Sequence, residues 1–188
     1  MKKLPIAALA ALALAATLPL SAQADDPVTP VQGAVCNLYF LDWERNEKSF
    51  NDIASSLANK AAAATFVDIA SEFAASKKKE GTQSNFGMWT GWLKQEKAGT
   101  YTFTCKQIDS YSNRLYSIWV NGQQYAKAWA GQGSFDVELN AGFNSVKIIS
   151  VVWPSSEKIP LTISYKKKGS VKDPVSFGPE NMFYDDEE

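Results

Sequence analysis

The fold of this chain is decided by a stretch that opens Phe86-Gly87-Met88-Trp89-Thr90-Gly91-Trp92-Leu93. The same kind of segment recurs as Ala98-Gly99-Thr100-Tyr101-Thr102-Phe103-Thr104-Cys105, Ile118-Trp119-Val120-Asn121-Gly122 and Leu139-Asn140-Ala141-Gly142-Phe143-Asn144-Ser145-Val146-Lys147-Ile148. Short aromatic and β-branched segments bounded by Gly, Asn and Pro are typical of antiparallel strands joined by tight turns. Residues 86–165 are therefore predicted to form a mostly β, antiparallel sandwich.

Turn signals place the strands of this region. Asn121-Gly122 separates the runs 115–120 and 123–129, and both central positions of a two-residue hairpin turn require positive φ. Ala98-Gly99 and Ala141-Gly142 each precede a run in which apolar and polar residues alternate. About eight strands are predicted in all. They include a first strand over residues 33–42 and a late one over residues 161–165.

An Ala-rich segment near the N-terminus interrupts the β pattern. Ser49 resembles a helix cap, with Asp52 three positions on. Apolar residues then follow at helical spacing, which predicts a helix over about residues 50–63 within a helical insertion at about residues 49–76. Residues 65–69 are compatible either with a second short helix or with a short strand. The helical spacing is shown by Phe50, Ile53, Ala54, Leu57, Ala58 and Ala61.

The first residues are typical of an export signal. Lys2 and Lys3 precede an Ala/Leu-rich stretch, and Ala22-Gln23-Ala24 supplies the small residues of a cleavage site. A signal peptide is therefore predicted at residues 1–24, with cleavage near Ala24 and a product that is periplasmic, secreted or at the cell surface. No later apolar stretch approaches the ~20 residues of a membrane span, so no membrane insertion is expected.

The mature chain is expected to form one domain. Residues 25–32 contain two prolines and are predicted to be an extended lead-in, residues 33–184 to form the sandwich, and residues 185–188 to be an acidic tail. Cleavage leaves 17 basic and 20 acidic residues, a formal charge of −3. A nucleic-acid-binding protein would present a strongly basic face, so no nucleic acid partner is expected.

Two cysteines remain in the mature chain, Cys36 and Cys105. An exported protein folds in an oxidising compartment, so the sequence predicts one structural disulfide between them. Their spacing offers no Cys-x-x-Cys redox pair.

The composition argues against an enzyme. The chain contains no histidine, which excludes a Ser-His-Asp or Cys-His arrangement and removes the commonest nitrogen ligand of zinc. Paired carboxylates could serve glycoside hydrolysis, but the acidic residues are scattered apart from the last four. No motif identifies a general acid and a general base, so a non-catalytic protein is expected.

The ordered segments across about residues 86–165 resemble the protective-antigen-type (PA-fourteen) domain, which is shared by a bacterial toxin component, fungal flocculins and adhesins, and some glycosidases. Residues 33–40 are similar to the opening strand of that family. The segments that carry the resemblance are Trp89-Thr90-Gly91-Trp92-Leu93, Ala98-Gly99-Thr100-Tyr101-Thr102-Phe103, Arg114-Leu115-Tyr116, Trp119-Val120-Asn121-Gly122, Leu139-Asn140-Ala141-Gly142 and Val146-Lys147-Ile148.

The resemblance implies a jelly-roll-like sandwich that binds glycans, often through a calcium ion held by two consecutive aspartates. The matching loop here covers residues 107–114. Ile108 stands in the place of the first aspartate, and its hydrocarbon side chain offers no oxygen ligand to a hard cation. Asp109 is the candidate calcium ligand, and a turn capped by Asp109 and Ser110 through their own backbone is the alternative.

Tryptophans supply the remaining candidates for a glycan site, because an indole face covers the apolar side of a sugar ring. Trp129 is expected to act together with Asp109 and Asn113, and Trp153 is the next candidate. Trp89, Trp92 and Trp119 lie within predicted strands and are expected to be packed in the core.

Two functions are compatible with these features. The first is an exported, non-catalytic module that binds carbohydrate or another cell-surface ligand, in the manner of an adhesin. The second is a structural or assembly component of a surface appendage or envelope complex, in which the helical insertion or an open sheet edge contacts a protein partner.

Overall fold

The structure, a computed structural model, describes residues 26–41, 47–74, 85–107, 116–127, 132–152 and 160–186. Within these residues, twelve strands form two antiparallel sheets. The larger sheet contains β1 (Pro30–Gln32), β2 (Ala34–Phe40), β3 (Ala64–Asp68), β4 (Asn85–Gln95), β6 (Tyr116–Val120), β7 (Gln123–Lys127), β9 (Gly142–Val152) and β12 (Met182–Asp185). The smaller sheet contains β5 (Gly99–Gln107), β8 (Gln132–Leu139), β10 (Leu161–Lys167) and β11 (Val175–Phe177). The predicted mostly β, antiparallel sandwich is confirmed.

The larger sheet is branched at β4. Its main order of strands is β1-β12-β4-β9-β6-β7. Strand β2 also pairs with β4, and β3 pairs with β2. Two strands thus share one side of β4: β2 pairs with residues 85–90, and β12 pairs with Trp92 and Leu93. The smaller sheet runs β11-β10-β5-β8.

The hydrophobic core lies between the two sheets. Trp89 and Leu93 of β4 and Phe103 of β5 belong to one buried cluster, and Trp89 is fully buried. The indole N–H of Trp89 donates a hydrogen bond of 2.8 Å to Oδ2 of Asp68, so its polar atom is satisfied. The prediction that Trp89 is a core residue is confirmed.

The hairpin predicted at Asn121-Gly122 is also confirmed, since these residues connect β6 and β7. Asn121 has φ +49° and Gly122 has φ +77°, the two positive values that such a turn needs. The Asn121 N–H also donates to the Ser145 carbonyl at 2.9 Å, which attaches the turn to β9.

The helical segment is shorter than predicted and begins earlier. Helix α1 covers Glu47–Ser56 and is followed by a 3-10 turn over Leu57–Asn59. Ser49 lies inside the first turn of α1, so its predicted capping position is wrong. The helix does not reach residue 63 because the Ala63 N–H donates to the Leu38 carbonyl, which directs the chain into β3. Of the two alternatives for residues 65–69, the strand is confirmed, and the helical part ends at Asn59 rather than near residue 76.

Both ends of the predicted domain extend further than expected. Pro30–Gln32 forms β1 and pairs with β12, so the lead-in is partly a strand of the sheet. Asp185 is the last residue of β12 rather than part of a free tail. Its carboxylate accepts hydrogen bonds from the backbone N–H groups of Val28 (2.8 Å) and Thr29 (3.1 Å).

The predicted disulfide is wrong in this structure, because Cys36 and Cys105 are both free, buried thiols. Cys36 stands on β2 of the larger sheet. Cys105 stands on β5 of the smaller sheet and accepts a hydrogen bond from the Tyr116 hydroxyl of β6. Strands β4 and β9 separate β6 from β2, a displacement of about 14 Å at ~4.8 Å per strand. A disulfide requires Cα atoms within about 7 Å.

Candidate functional site

The four residues predicted for glycan binding, Asp109, Asn113, Trp129 and Trp153, lie outside the described residues, as does Ile108. The strands that flank them are described and end close together. Gln107, the last residue of β5, pairs with Leu161 at the start of β10, and Lys106 pairs with Gln132 at the start of β8.

In the larger sheet, Tyr116 at the start of β6 pairs with Ser150 near the end of β9. The strand ends that flank residues 108–115, 128–131 and 153–159 therefore lie at the same end of the sandwich. We refer to this part of the molecule as the loop end.

A second candidate site lies on the outer face of the larger sheet, the face turned away from the smaller sheet. It is a cleft of about 500 Å³, which we call the outer cleft. Its floor includes one row of side chains from four adjacent strands, because Val35 pairs with Thr90, Thr90 with Lys147, and Lys147 with Trp119. The next row contains Trp92 and its partner Ser145, and the cleft is also lined by Gly91, Gly122, Val146, Tyr184 and Asp185.

The sequence of the outward positions explains why the cleft is open. Along β4 and β9 these positions are apolar at one end, where Met88 pairs with Ile149. Phe50 of helix α1 and Leu57 of the 3-10 turn that follows it pack over this end. Towards the other end the outward positions become mostly polar, and α1 does not cover them. The cleft is therefore the uncovered part of a face whose other part is a second hydrophobic cluster.

Trp92 and Trp119 are functional candidates that were assigned to the core from the sequence. Both are only partly buried and line the outer cleft. A signal for Trp92 was present: it lies three positions from Trp89, and residues an odd number apart in a strand point to opposite faces. Because Trp89 faces the core, Trp92 faces outward.

The electrostatics of the outer cleft centre on Lys147. Its Nζ lies 4.3 Å from the centroid of the Trp119 ring, a cation–π geometry. Burial lowers the pKa of Lys147 because desolvation disfavours the ammonium form. Lys147 forms no ion pair with any described residue. Asp185 also lines the cleft, but its two carboxylate oxygens accept the backbone hydrogen bonds from Val28 and Thr29.

Several hydrogen-bonding groups around Lys147 have no partner among the residues that the structure describes. The Trp92 indole Nε1 is buried and lacks an acceptor among the described residues. The side-chain hydroxyls of Thr90 and Ser145 form no hydrogen bond within the described part of the chain. The cleft thus combines aromatic surface, unpaired donors and a positive charge.

Metal ligands and membrane-spanning helices are not found in the described residues. These ranges contain no group of three or more His, Cys, Asp or Glu side chains close enough to hold a metal ion. None of the helices in the same ranges has the length and apolar character needed to cross a membrane.

Comparison with solved structures identifies the fold. An anti-sigma factor domain-containing protein matches with a TM-score of 0.59 and 18% identity. The match covers 86% of this chain and about half (51%) of that protein. The PA14 sugar-binding domain from an RTX adhesin matches with a TM-score of 0.52 and 21% identity, covering 82% of this chain and 99% of that one. The epithelial adhesin 9 A domain from Candida glabrata, in complex with Galb1-3GlcNAc, matches with a TM-score of 0.57 and 10% identity, covering 86% and 95%.

These similarities show that the chain has a PA14-like fold, which confirms the resemblance to the protective-antigen-type domain. No family model matches the sequence, and no curated protein matches it significantly. The identities are low, so they establish the fold alone.

Proposed function

We propose that this chain is an exported, non-catalytic module that binds carbohydrate at its loop end, in the manner of an adhesin. The observation that carries the proposal is the convergence of the strand ends that flank Asp109, Asn113, Trp129 and Trp153. Support also comes from the fold, which is similar to domains described as a sugar-binding domain and as an adhesin in complex with a disaccharide. Loops held at the end of a rigid sandwich are a common location for binding residues.

Each loop-end residue has a role that suits its chemistry. Trp129 and Trp153 offer indole faces for the apolar side of a sugar ring. Asn113 can both donate and accept hydrogen bonds to sugar hydroxyls, and the Asp109 carboxylate accepts them. Residues 1–24 would direct export and be removed, leaving a module in the periplasm, at the cell surface or in the medium.

Calcium fits this donor set poorly. Ca²⁺ takes six to eight oxygen ligands, commonly from several carboxylates, whereas Ile108 beside Asp109 contributes none. The proposal therefore assigns hydroxyl binding to Asp109 and no step to a metal.

A glycan array followed by calorimetry on the best ligand tests the proposal. Trp129→Ala and Asp109→Ala are expected to weaken binding at least about tenfold each, because they remove a stacking surface and a charge-assisted hydrogen bond. Asp173→Ala is the matched control, since Asp173 is exposed in the segment after β10, at the other end of the sandwich. Added millimolar calcium is expected to leave the affinity unchanged.

Absence of binding across a broad glycan set, with and without calcium, would remove the proposal. The alternative, a component of a surface assembly, would then gain weight. One feature suits it: Val67 and Ile69, on and just after the edge strand β3, are 45% and 68% exposed. Pairing of an extended segment with a strand edge is a known mode of protein recognition.

A further inference from the structure

The outer cleft is a separate site from the loop end. We propose that it binds a saccharide that carries a carboxylate group, such as a uronic acid, with Lys147 as the residue that recognises the charge. This inference goes beyond glycan binding at the loop end and uses only residues that the structure describes.

The size and lining of the cleft suit a small amphipathic ligand. Its volume of about 500 Å³ lies within the ~300–1,000 Å³ typical of small-molecule sites. Trp92 on β4 and Trp119 on β6 stand on either side of β9, so their partly exposed indoles flank Ser145 and Lys147. Aromatic rings beside hydroxyl groups match the two kinds of surface on a sugar ring.

Charge indicates that this sugar is acidic. Lys147 is half-buried between Thr90 and Trp119 and has no acidic partner in the described residues. One side of its environment is the Trp119 ring, which attracts the ammonium group without neutralising it. Asp185, the acidic residue that lines the cleft, is held by two backbone N–H groups. A carboxylate from a ligand would supply the missing counter-charge in a partly desolvated position, where ion pairs are stronger than at an exposed surface.

Neighbouring donors favour the same ligand. The hydroxyls of Thr90 and Ser145 can donate to a carboxylate or to sugar oxygens. The Trp92 indole N–H lacks an acceptor in the described structure and can donate only. Thr90 is the direct cross-strand partner of Lys147, and Trp92 and Ser145 form the next row of the floor.

Calorimetry with a disaccharide that contains glucuronic acid, and with its neutral glucose counterpart, tests this inference. The dissociation constant of the acidic disaccharide is expected to be at least about tenfold lower than that of the neutral one, because the carboxylate adds a charge-assisted hydrogen bond. Raising the salt concentration is expected to reduce this preference. Lys147→Gln should abolish the preference for the acidic disaccharide over the neutral one.

The matched control is Lys166→Gln, which removes the same charge from an exposed position on β10 of the other sheet. It should leave the preference unchanged. Trp92→Phe should weaken both sugars, because it removes stacking area and the indole N–H, and a thermal melt of each variant shows whether the fold is retained. Equal affinity of the native protein for both sugars, or an undiminished preference in Lys147→Gln, would overturn the inference.

A double variant separates the two sites. Asp109→Ala with Trp129→Ala should lose the array ligand of the loop end but keep the acidic disaccharide. If the acidic disaccharide is lost in this variant instead, it binds at the loop end and the outer cleft is not its site. If the native protein binds the acidic disaccharide but no glycan at the loop end, the proposed function fails while the cleft inference stands.

Discussion

At the scale of single residues, Asn144 shows how one buried amide can join two turns. It is fully buried on β9, and its Oδ1 accepts hydrogen bonds from the Asn140 backbone N–H (2.8 Å) and the Asn121 side chain (2.9 Å). Its Nδ2 donates to the Asn140 carbonyl at 3.0 Å. Asn121 Oδ1 in turn accepts from the Ser145 N–H at 3.0 Å. This network connects the β6–β7 turn to the β8–β9 turn at the end opposite the loop end.

Replacing Asn144 by Ala should destabilise the protein by about 2–4 kcal/mol, because it leaves the Asn140 N–H and the Asn121 amide without a buried partner. Urea unfolding with an unchanged m-value would measure the loss. Asn140→Ala is the matched control: its side chain is exposed, and the change should stay within about 0.5 kcal/mol of the native protein. Equal effects of the two substitutions would contradict the role given to Asn144.

At the scale of elements, the attachment of β12 to β4 depends on the absence of a side chain at Gly91. A Cβ placed there would lie 2.5 Å from the Phe183 carbonyl oxygen and 3.2 Å from Cε of Met182. Among the described strands, β12 is the only one that pairs with β1. Gly91 therefore controls whether two terminal strands can dock.

Gly91→Ala should displace β12 and β1 and cost about 1–3 kcal/mol, the usual range for overpacking. Hydrogen exchange should accelerate first at the amide of Gly33, which donates to the Met182 carbonyl, and at that of Phe183, relative to the amides of β5. Gly142→Ala provides the comparison, because Gly142 has φ +95° and no atom within 4 Å of an added Cβ. It should lower stability through backbone strain without selective exposure of β12. Uniform acceleration in Gly91→Ala would count against local undocking.

At the scale of the whole molecule, closure of the two sheets places titratable groups in the core. Burial raises the pKa of Cys36 above its usual value, with the nearby Asp68 carboxylate as a further cause. Burial raises the pKa of Cys105 to about 12, although the hydrogen bond from Tyr116 opposes the shift. Burial also raises the pKa of Tyr116, and the neighbouring Cys105 adds to this effect. All three groups stay neutral in the folded protein over a wider pH range than in the unfolded chain.

Stability should therefore fall in alkaline solution. A group with a raised folded-state pKa contributes fully below its unfolded pKa, which is about 8.5–9 for a thiol, and its contribution is lost as the pH rises beyond that value. Between about pH 8 and 10 the slope should approach ~2.7 kcal/mol per pH unit, because unfolding lets two thiols ionise. Tyr116 adds to the slope only above about pH 10.

Denaturant unfolding across this range, in reductant, measures the effect. The double variant Cys36→Ala with Cys105→Ala should lose most of the slope, and each single variant should lose about half. The partly exposed Ser170 offers a control, since Ser170→Ala removes no ionisable group and should keep the native slope. A native slope in the double variant would show that the thiols do not control alkaline stability.

Much of the sandwich could be predicted from local patterns. Strands β5, β6, β9 and β10 follow from alternating residues and from turn signals such as Asn121-Gly122, because period-two patterning and positive-φ turns are short-range properties. The end of helix α1 could not be predicted in this way, since the hydrogen bond from Ala63 to Leu38 depends on a partner that is distant in sequence. The pairing of β1 with Asp185 and the rest of β12 could not be predicted for the same reason, since these segments lie at opposite ends of the described chain.

The sequence by itself determined the class of fold, the strands and turns after residue 85, and the absence of histidine chemistry. Only the tertiary structure decided that Cys36 and Cys105 are separate buried thiols, that α1 covers one part of the outer face, and that Trp92, Trp119 and Lys147 line one cleft. Local patterns reflect neighbours along one strand. Which strands lie side by side is set by pairing between distant segments, and a site assembled across four strands appears only once that pairing is formed.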